Sequence, residues 1–330
     1  MSSAGALHCV GWHDRRRFPL RTLGHRRSGA DHRIQRFCCV DLACCTSRGL
    51  MNVEASSAHT ALVLCGGGAR GAMQVGFYQA IIELGLSFDL VVGSSVGALN
   101  GTLIAAGMPP AELAQLWRGL RKPDVVSWNW RGLLGETGGF YTFAPLRRLL
   151  HEVLLIRCFE ELKHPLVITT TNLQTGQPCY HEGHGDLIEP IIASMSLPGA
   201  FPPIWIAGNQ HVDGGVADNV PFDKALDRGA HEILMISCTC CPRDSTALVS
   251  PLKILLRSFM IALDTKYLCS LQQHRTRGIG IQLVRPHFQQ PVGLLDFNQT
   301  DALIEVGYRE TLAAFRNLRS NRVPPASPLP

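Results

Sequence analysis

Ser95 stands at the centre of Gly93-Ser94-Ser95-Val96-Gly97, where one apolar run ends and another begins. A serine becomes a nucleophile only if a neighbour takes its proton and donors hold the oxyanion formed by its attack. The pattern GxSxG suits the first part of that task. A strained strand-to-helix turn pushes the central hydroxyl outward, and flanking glycines avoid collision with the adjoining strand and helix. The helix that follows aims its positive end at developing negative charge. Ser94 is the decoy in this stretch. Read alone, the residues also fit a tight turn that merely contains serine.

A glycine loop, GGGARG (66–71), precedes this turn by one strand and one helix. Gly66, Gly68 and Gly71 satisfy GxGxxG, the dinucleotide fingerprint, which makes a nucleotide-dependent oxidoreductase the first alternative. That fingerprint also needs an acidic residue about 20 positions on, at the carboxyl end of the second strand. Asp89 has nearly the right offset but opens its strand, at the end opposite the loop. The ribose reading therefore fails on geometry. The same geometry sets the glycine loop beside the serine turn, where backbone N–H groups of Gly66–Gly71 are free to hold an oxyanion. Losing one such donor typically costs about 3 kcal/mol of activation energy.

The base is less obvious. An ordinary α/β-hydrolase places Asp or Glu and then His after the serine, and none of the 13 histidines has a compelling setting. The strongest later feature is HVDGG (211–215). Asp-Gly-Gly is commonly a plain turn. Here it ends a strand, and Gly214 and Gly215 would let the Asp213 carboxylate approach another backbone closely. On a strand, His211 and Asp213 share a face. On basicity alone His211 is the better candidate, at about 6.5 against about 3.9.

The elements that would position these groups follow a regular order. TALVLC (60–65), FDLVVG (88–93), HPLVITTTNL (164–173) and HEILMIS (231–237) read as strands. AMQVGFYQAIIELG (72–85), VGALNGTLIAAG (96–107) and DLIEPIIASMSL (186–197) read as helices. Strand, glycine loop, helix, strand, serine turn, helix begins a parallel α/β sheet. The expectation is one three-layer α/β/α sandwich with a mostly parallel central sheet over 60–320, followed by a disordered Pro-rich tail at 321–330.

Three motifs now stand in order: GGGARG, GSSVG (93–97) and DGG (213–215). Together with SMSLPGAFPP (194–203) and VADNVPFDKALDRGA (216–230), they resemble the patatin-like phospholipases over about 62–237. The resemblance implies a serine–aspartate dyad without histidine, with Ser95 as nucleophile and Asp213 as general base. Gly66, Gly67, Gly68 and Arg70 would form the oxyanion region, with Arg70 equally readable as half of a structural salt bridge. Gly71, Gly93, Gly97, Gly214 and Gly215 complete the motifs. The implied reaction is hydrolysis of a lipid acyl ester through an acyl-enzyme, with no metal or organic cofactor. A non-catalytic lipid-binding relative is the other alternative.

Composition limits the partners. The chain of 330 residues carries a net charge of +5, but residues 1–50 hold nine Arg and three Asp, so the remainder is near neutral. A near-neutral body gives no reason to expect a nucleic-acid partner. The Arg- and Cys-rich segment 1–58 is expected to be a disordered extension, or an upstream reading of a frame that starts at Met51. Its RRRFPL (15–20) lacks the apolar region that a twin-arginine signal needs. The pairs Cys38/Cys39 and Cys44/Cys45 lack zinc-knuckle spacing, and Cys238, Cys240 and Cys241 read as reduced thiols. No run of 18 apolar residues spans a membrane, and a cytoplasmic location with peripheral membrane contact is expected. Two segments would face lipid: the aromatic, glycine-broken VVSWNWRGLLGETGGFYTF (125–143), read as a loop between helices, and the helical stripe of PLKILLRSFMIALDTKYLCSL (251–271). Such a stripe more often faces the core.

Overall fold

The computed structural model describes residues 60–238, a few positions between 247 and 265, and residues 280–322. The expectations for the arm at 1–58, for Cys240 and Cys241, for most of the 251–271 stripe and for the tail lie outside the described residues.

Strand β1 (Thr60–Leu64) leaves through the glycine loop and one 3-10 turn into helix α1 (Ala72–Glu83). Strand β2 (Leu90–Ser94) is buried along its whole length and reaches helix α2 (Val96–Ala105) with only Ser95 between them. Its apolar sequence runs without alternation because both faces of a central parallel strand are covered. Helix α3 (Pro110–Gly119) follows, starting at a proline whose missing N–H costs nothing in a first turn.

Residues 122–153 hold short helices α4 (Lys122–Val125) and α5 (Trp130–Leu133), the two-residue strands β3 (Ser127–Trp128) and β4 (Tyr141–Thr142), and helix α6 (Ala144–Val153). The segment read as an irregular loop over 125–143 is thus a small hairpin with a helical turn inside it. Strands β5 (Leu166–Asn172) and β6 (Pro178–Glu182) come next, then helix α7 (Ile188–Ser194). Strands β7 (Ile204–Ile206) and β8 (Asn209–Asp213) form a tight hairpin across Ala207 and Gly208, whose φ values are 48° and 81°. Two positive φ angles in a two-residue turn match the right-handed twist of the flanking strands. Helices α8 (Gly215–Asp218) and α9 (Phe222–Asp227), strands β9 (Glu232–Ile236) and β10 (Gly280–Val284), and helix α10 (Thr300–Arg322) complete the described chain.

The main sheet runs β10-β9-β1-β2-β5-β8-β7, with β6 also on β5. Strands β10, β9, β1, β2 and β5 are mutually parallel, and β6, β8 and β7 join by antiparallel pairing. The larger core lies on the face covered by α1, α2, α3, α6, α7 and α10, and a smaller one lies beneath α9 on the other face. The expected layered, mostly parallel architecture is the one observed.

Helix α10 had no counterpart in the sequence reading. It packs on α1 through two reciprocal glycines. A Cβ at Gly76 would fall 1.9 Å from the Ile304 carbonyl oxygen, and one at Gly307 would fall 2.2 Å from that of Met73. Only glycine lets two helix backbones approach so closely.

Candidate active site

Ser95 has φ 55° and ψ −126°, and the only other described non-glycine residue with positive φ is Ala207. Such a conformation costs a side-chain-bearing residue of order 1–3 kcal/mol and persists where the surroundings impose it. The imposition comes from backbone on both sides. A Cβ at Gly93 would lie 2.3 Å from the Gly97 carbonyl oxygen, and a Cβ at Gly97 would lie 2.1 Å from that of Leu64. The elbow closes only because both positions are glycine. Ser94, by contrast, is fully buried, and its hydroxyl has no partner among the described residues.

The Ser95 hydroxyl donates to Asp213 Oδ2 at 2.7 Å. The other carboxylate oxygen accepts from the Gly215 N–H at 2.8 Å. Asp213 is 5% exposed, and burial pushes its carboxyl up to about 6, against the opposing pull of the Ser95 and Gly215 hydrogen bonds. Gly214 fills the role expected of a close approach, because a Cβ there would meet the Thr169 carbonyl oxygen at 2.2 Å.

His211 does share a face with Asp213, yet its ring is engaged by Thr170 and not by the serine. Thr170 Oγ1 lies 2.9 Å from His211 Nδ1 and 2.8 Å from His181 Nε2, so a single hydroxyl joins the two rings. Burial pushes His181 down to about 4 and lowers His211 as well. Burial thus favours the neutral form of both imidazoles.

The glycine loop packs directly on the elbow. A Cβ at Gly66 would come within 3.0 Å of Ser95 Cβ, and one at Gly71 would meet Val96 at 2.6 Å. Not every loop amide is free. The Gly66 N–H is held by Asn219 Oδ1 at 3.2 Å, and the Ala69 N–H by the Leu294 carbonyl at 2.8 Å. For Gly67 and Gly68 no acceptor stands among the described residues. Gly68 has φ 59°, and a Cβ there would strike the Leu294 carbonyl oxygen at 2.4 Å. Arg70 turns back on the loop, its Nε donating to the Gly67 carbonyl at 3.1 Å, and it makes no ion pair among the described residues.

Several positioning groups escaped the sequence reading. The Ser194 hydroxyl accepts the Ser95 N–H at 2.8 Å and donates to the Thr169 carbonyl at 2.6 Å. The Asn100 amide donates to the Gly71 carbonyl at 3.1 Å and to Gln74 Oε1 at 2.8 Å, while the Gln74 amide donates to the Cys65 carbonyl at 2.7 Å. Trp117 Nε1 donates to Asn100 Oδ1 at 2.8 Å. Buried helices α1 and α2 thereby hold both ends of the 66–70 loop. A polar side chain between apolar neighbours was the available signal for Gln74, Asn100 and Ser194. Cys238 packs under the loop, where a Cβ at Gly67 would meet its Cβ at 2.7 Å. Asp89, the ribose candidate of the fingerprint, binds the Thr60 N–H at 3.1 Å, at the other end of the sheet. No described cluster of His, Cys, Asp and Glu is placed to hold a metal ion, and no described helix is long and apolar enough to cross a membrane.

A layered α/β fold with a strained serine elbow, a glycine loop against it and a carboxylate on the serine hydroxyl defines a narrow class of proteins. The model of the patatin-like phospholipase family matches residues 62–226, half of the 330. The chain belongs to the patatin-like phospholipase family. It is 27% identical over 273 residues to lysophospholipase nte1 of Aspergillus terreus, covering 75% of this chain and 17% of that protein. It is 32% identical over 179 residues to human patatin-like phospholipase domain-containing protein 6, covering 53% of this chain and 13% of that one. The chain therefore spans less than a fifth of the length of these relatives. Among solved structures, VipD from Legionella pneumophila aligns with TM-score 0.44 and 16% identity over 78% of this chain and 67% of its own.

Proposed function

We propose that the protein is a serine acyl hydrolase that cleaves lipid acyl esters, of the phospholipase A or lysophospholipase type, through a Ser95–Asp213 dyad. The observation that carries this reading is the 2.7 Å bond from the Ser95 hydroxyl to Asp213 at a backbone conformation that exposes that hydroxyl. Family membership supports lipid esters as the substrate class.

Asp213, ionised at neutral pH, takes the Ser95 proton as Oγ attacks the acyl carbon. The tetrahedral oxyanion is held by the Gly67 and Gly68 amides, with the first turn of α2 adding positive potential. Asp213 then gives the proton to the departing alkoxide, and the C–O bond breaks to leave an ester on Ser95. Water enters, and Asp213 takes one of its protons as the oxygen attacks the acyl carbon. The acyl–Oγ bond then breaks as Asp213 returns that proton to Ser95, which releases the fatty acid and restores both groups. Arg70 braces the loop through the Gly67 carbonyl, and Gly66 contributes the space that lets the loop lie on Ser95. Proximity in a dry pocket compensates for the modest basicity of a carboxylate.

A fluorophosphonate probe followed by peptide mapping tests the reading. The label is expected on Ser95 alone, and labelling must vanish in Ser95→Ala. A label on Ser94, or none on folded protein, overturns it.

A further inference from the structure

Tryptophan is highly buried on average in soluble folds, and Trp117 obeys, at 1% exposure. Trp128 and Trp130 do not, at 58% and 73%, and Leu134 beside them is 76% exposed. They stand on one hairpin, where Trp128 pairs with Tyr141 and stacks on its ring at 4.8 Å. The Lys122 ammonium sits 5.0 Å from the centre of the same ring.

Ring contacts lead inward from this surface. Tyr141 touches Phe201 at 6.0 Å between centroids, and Phe201 stacks on Phe143 at 3.8 Å. Phe143, Ile192, Pro202 and Ile204 line a cavity of about 310 Å³ that Arg147 and Arg148 also line. Arg147 is paired with Glu189, whereas the exposed Arg148 pairs with no carboxylate among the described residues. An apolar cavity with an unpaired guanidinium beside it fits an acyl chain carrying an anionic group.

The same face adjoins the candidate active site. Gly139 bridges Gly199, and the Tyr141 N–H donates to the Ala200 carbonyl at 2.9 Å. That loop runs back to Ser196, whose carbonyl accepts the Asp213 N–H at 2.9 Å, and to Ser194, which holds the Ser95 N–H.

We propose that Trp128, Trp130 and Leu134 dock the protein on a phospholipid bilayer, and that Arg148 and the adjoining cavity take the phosphate and one acyl chain of an anionic phospholipid. The choice of a bilayer over another apolar partner rests on the lipid-hydrolase reading above and on residue type. Two of the three exposed side chains are amphipathic rings, with Asn129 between them and Arg131 beside them, which suits the headgroup boundary. A protein interface would instead ask for a contiguous apolar core.

The test uses the full chain carrying Ser95→Ala, so that no turnover alters the vesicles. Binding is measured by sedimentation with phosphatidylcholine vesicles and with vesicles that also contain phosphatidylglycerol. Tryptophan emission is followed with brominated acyl chains as quenchers. The chain is expected to bind the anionic vesicles more tightly, with quenching of its tryptophan emission. Trp128→Ser combined with Trp130→Ser should weaken vesicle binding about tenfold in a protein that stays folded, with its melting temperature lowered only by loss of the Trp128–Tyr141 stack. Arg148→Gln should remove the preference for phosphatidylglycerol and leave binding to phosphatidylcholine. Absence of vesicle binding, undiminished binding by the double variant, or self-association that the double variant abolishes would overturn the proposal. Because this chain lacks the nucleophile, the result is separate from whether unmodified protein hydrolyses esters.

Discussion

Asp213 stands opposite Thr170 on β5, one position beyond Thr169, the partner of Ser94. Strand β6 occupies the other edge of β5 along Val167–Thr171, so β8 must continue the edge that β2 leaves. Strands β2 and β8 therefore meet nearly end to end along β5, pointing at each other. Ser95 and Asp213, 118 residues apart in sequence, are brought together by two consecutive threonines.

The two serines of the elbow separate cleanly. The Ser94 hydroxyl is buried without a partner among the described residues, a state that costs a polar group about 1–3 kcal/mol. Ser94→Ala is expected to keep ester hydrolysis and to melt no lower than the unmodified protein. Ser95→Ala should have no measurable turnover. Equal loss in both variants, each folded, would reject Ser95 as nucleophile.

The carboxyl of Asp213 makes pH a probe of both rate and stability. As a base it must be ionised, so kcat/KM should rise through about pH 6 and stay level above it. Stability moves the other way. The folded carboxyl sits near 6 and the free one near 3.8, so the folded state holds more protons between those values and loses stability as pH rises through them. Asp213→Asn should therefore be more stable than unmodified protein at pH 8, by up to about 3 kcal/mol, and melt higher there, while the two melt nearly alike at pH 4. Thermal melts at the two pH values decide the matter, and identical shifts at both would show that Asp213 carries no buried charge.

His211 is the close rival on the same strand, and its ring is committed to Thr170. His211→Ala should lower the melting temperature, because it removes a buried, hydrogen-bonded ring, yet leave kcat within a few-fold. Asp213→Asn should abolish kcat. If both variants are folded and equally inactive, the dyad gives way to a triad on β8.

Ser194 is expected to act by position. Removing its hydroxyl leaves the Ser95 N–H without its acceptor, at about 1–3 kcal/mol. Ser194→Ala should slow fluorophosphonate labelling about ten- to a hundredfold, and Ser194→Thr should recover part of the loss. Unchanged labelling in folded Ser194→Ala would show that the elbow holds Ser95 without it.

How much of this was written in the sequence follows from range. GSSVG and GGGARG mark their own turns, since local backbone sterics demand glycine at Gly93 and Gly97 wherever a strand bends sharply into a helix. Strands β1, β2, β5 and β9 are legible as apolar runs because burial on both faces removes alternation. The order of those elements is enough to set the glycine loop beside the serine.

Other features depend on residues far apart in the chain. The hairpin that reverses β8 follows a rigid proline loop, and nothing in HVDGG says that its strand enters antiparallel on β5. Once it does, the register turns Asp213 to the serine and His211 to Thr170, a choice that basicity alone would have made the other way. The loop amides look alike in GGGARG, yet Asn219 takes that of Gly66 and Leu294 that of Ala69, leaving Gly67 and Gly68. Helix α10 docks on α1 through Gly76 and Gly307, which in sequence read only as weak points in helices. The sequence by itself determined the strained elbow around Ser95 and the glycine loop beside it, because short-range sterics specify them. Which side chain meets the Ser95 hydroxyl and which loop amides find an acceptor were decided by tertiary structure, because each is a competition for partners that only the assembled sheet brings within reach.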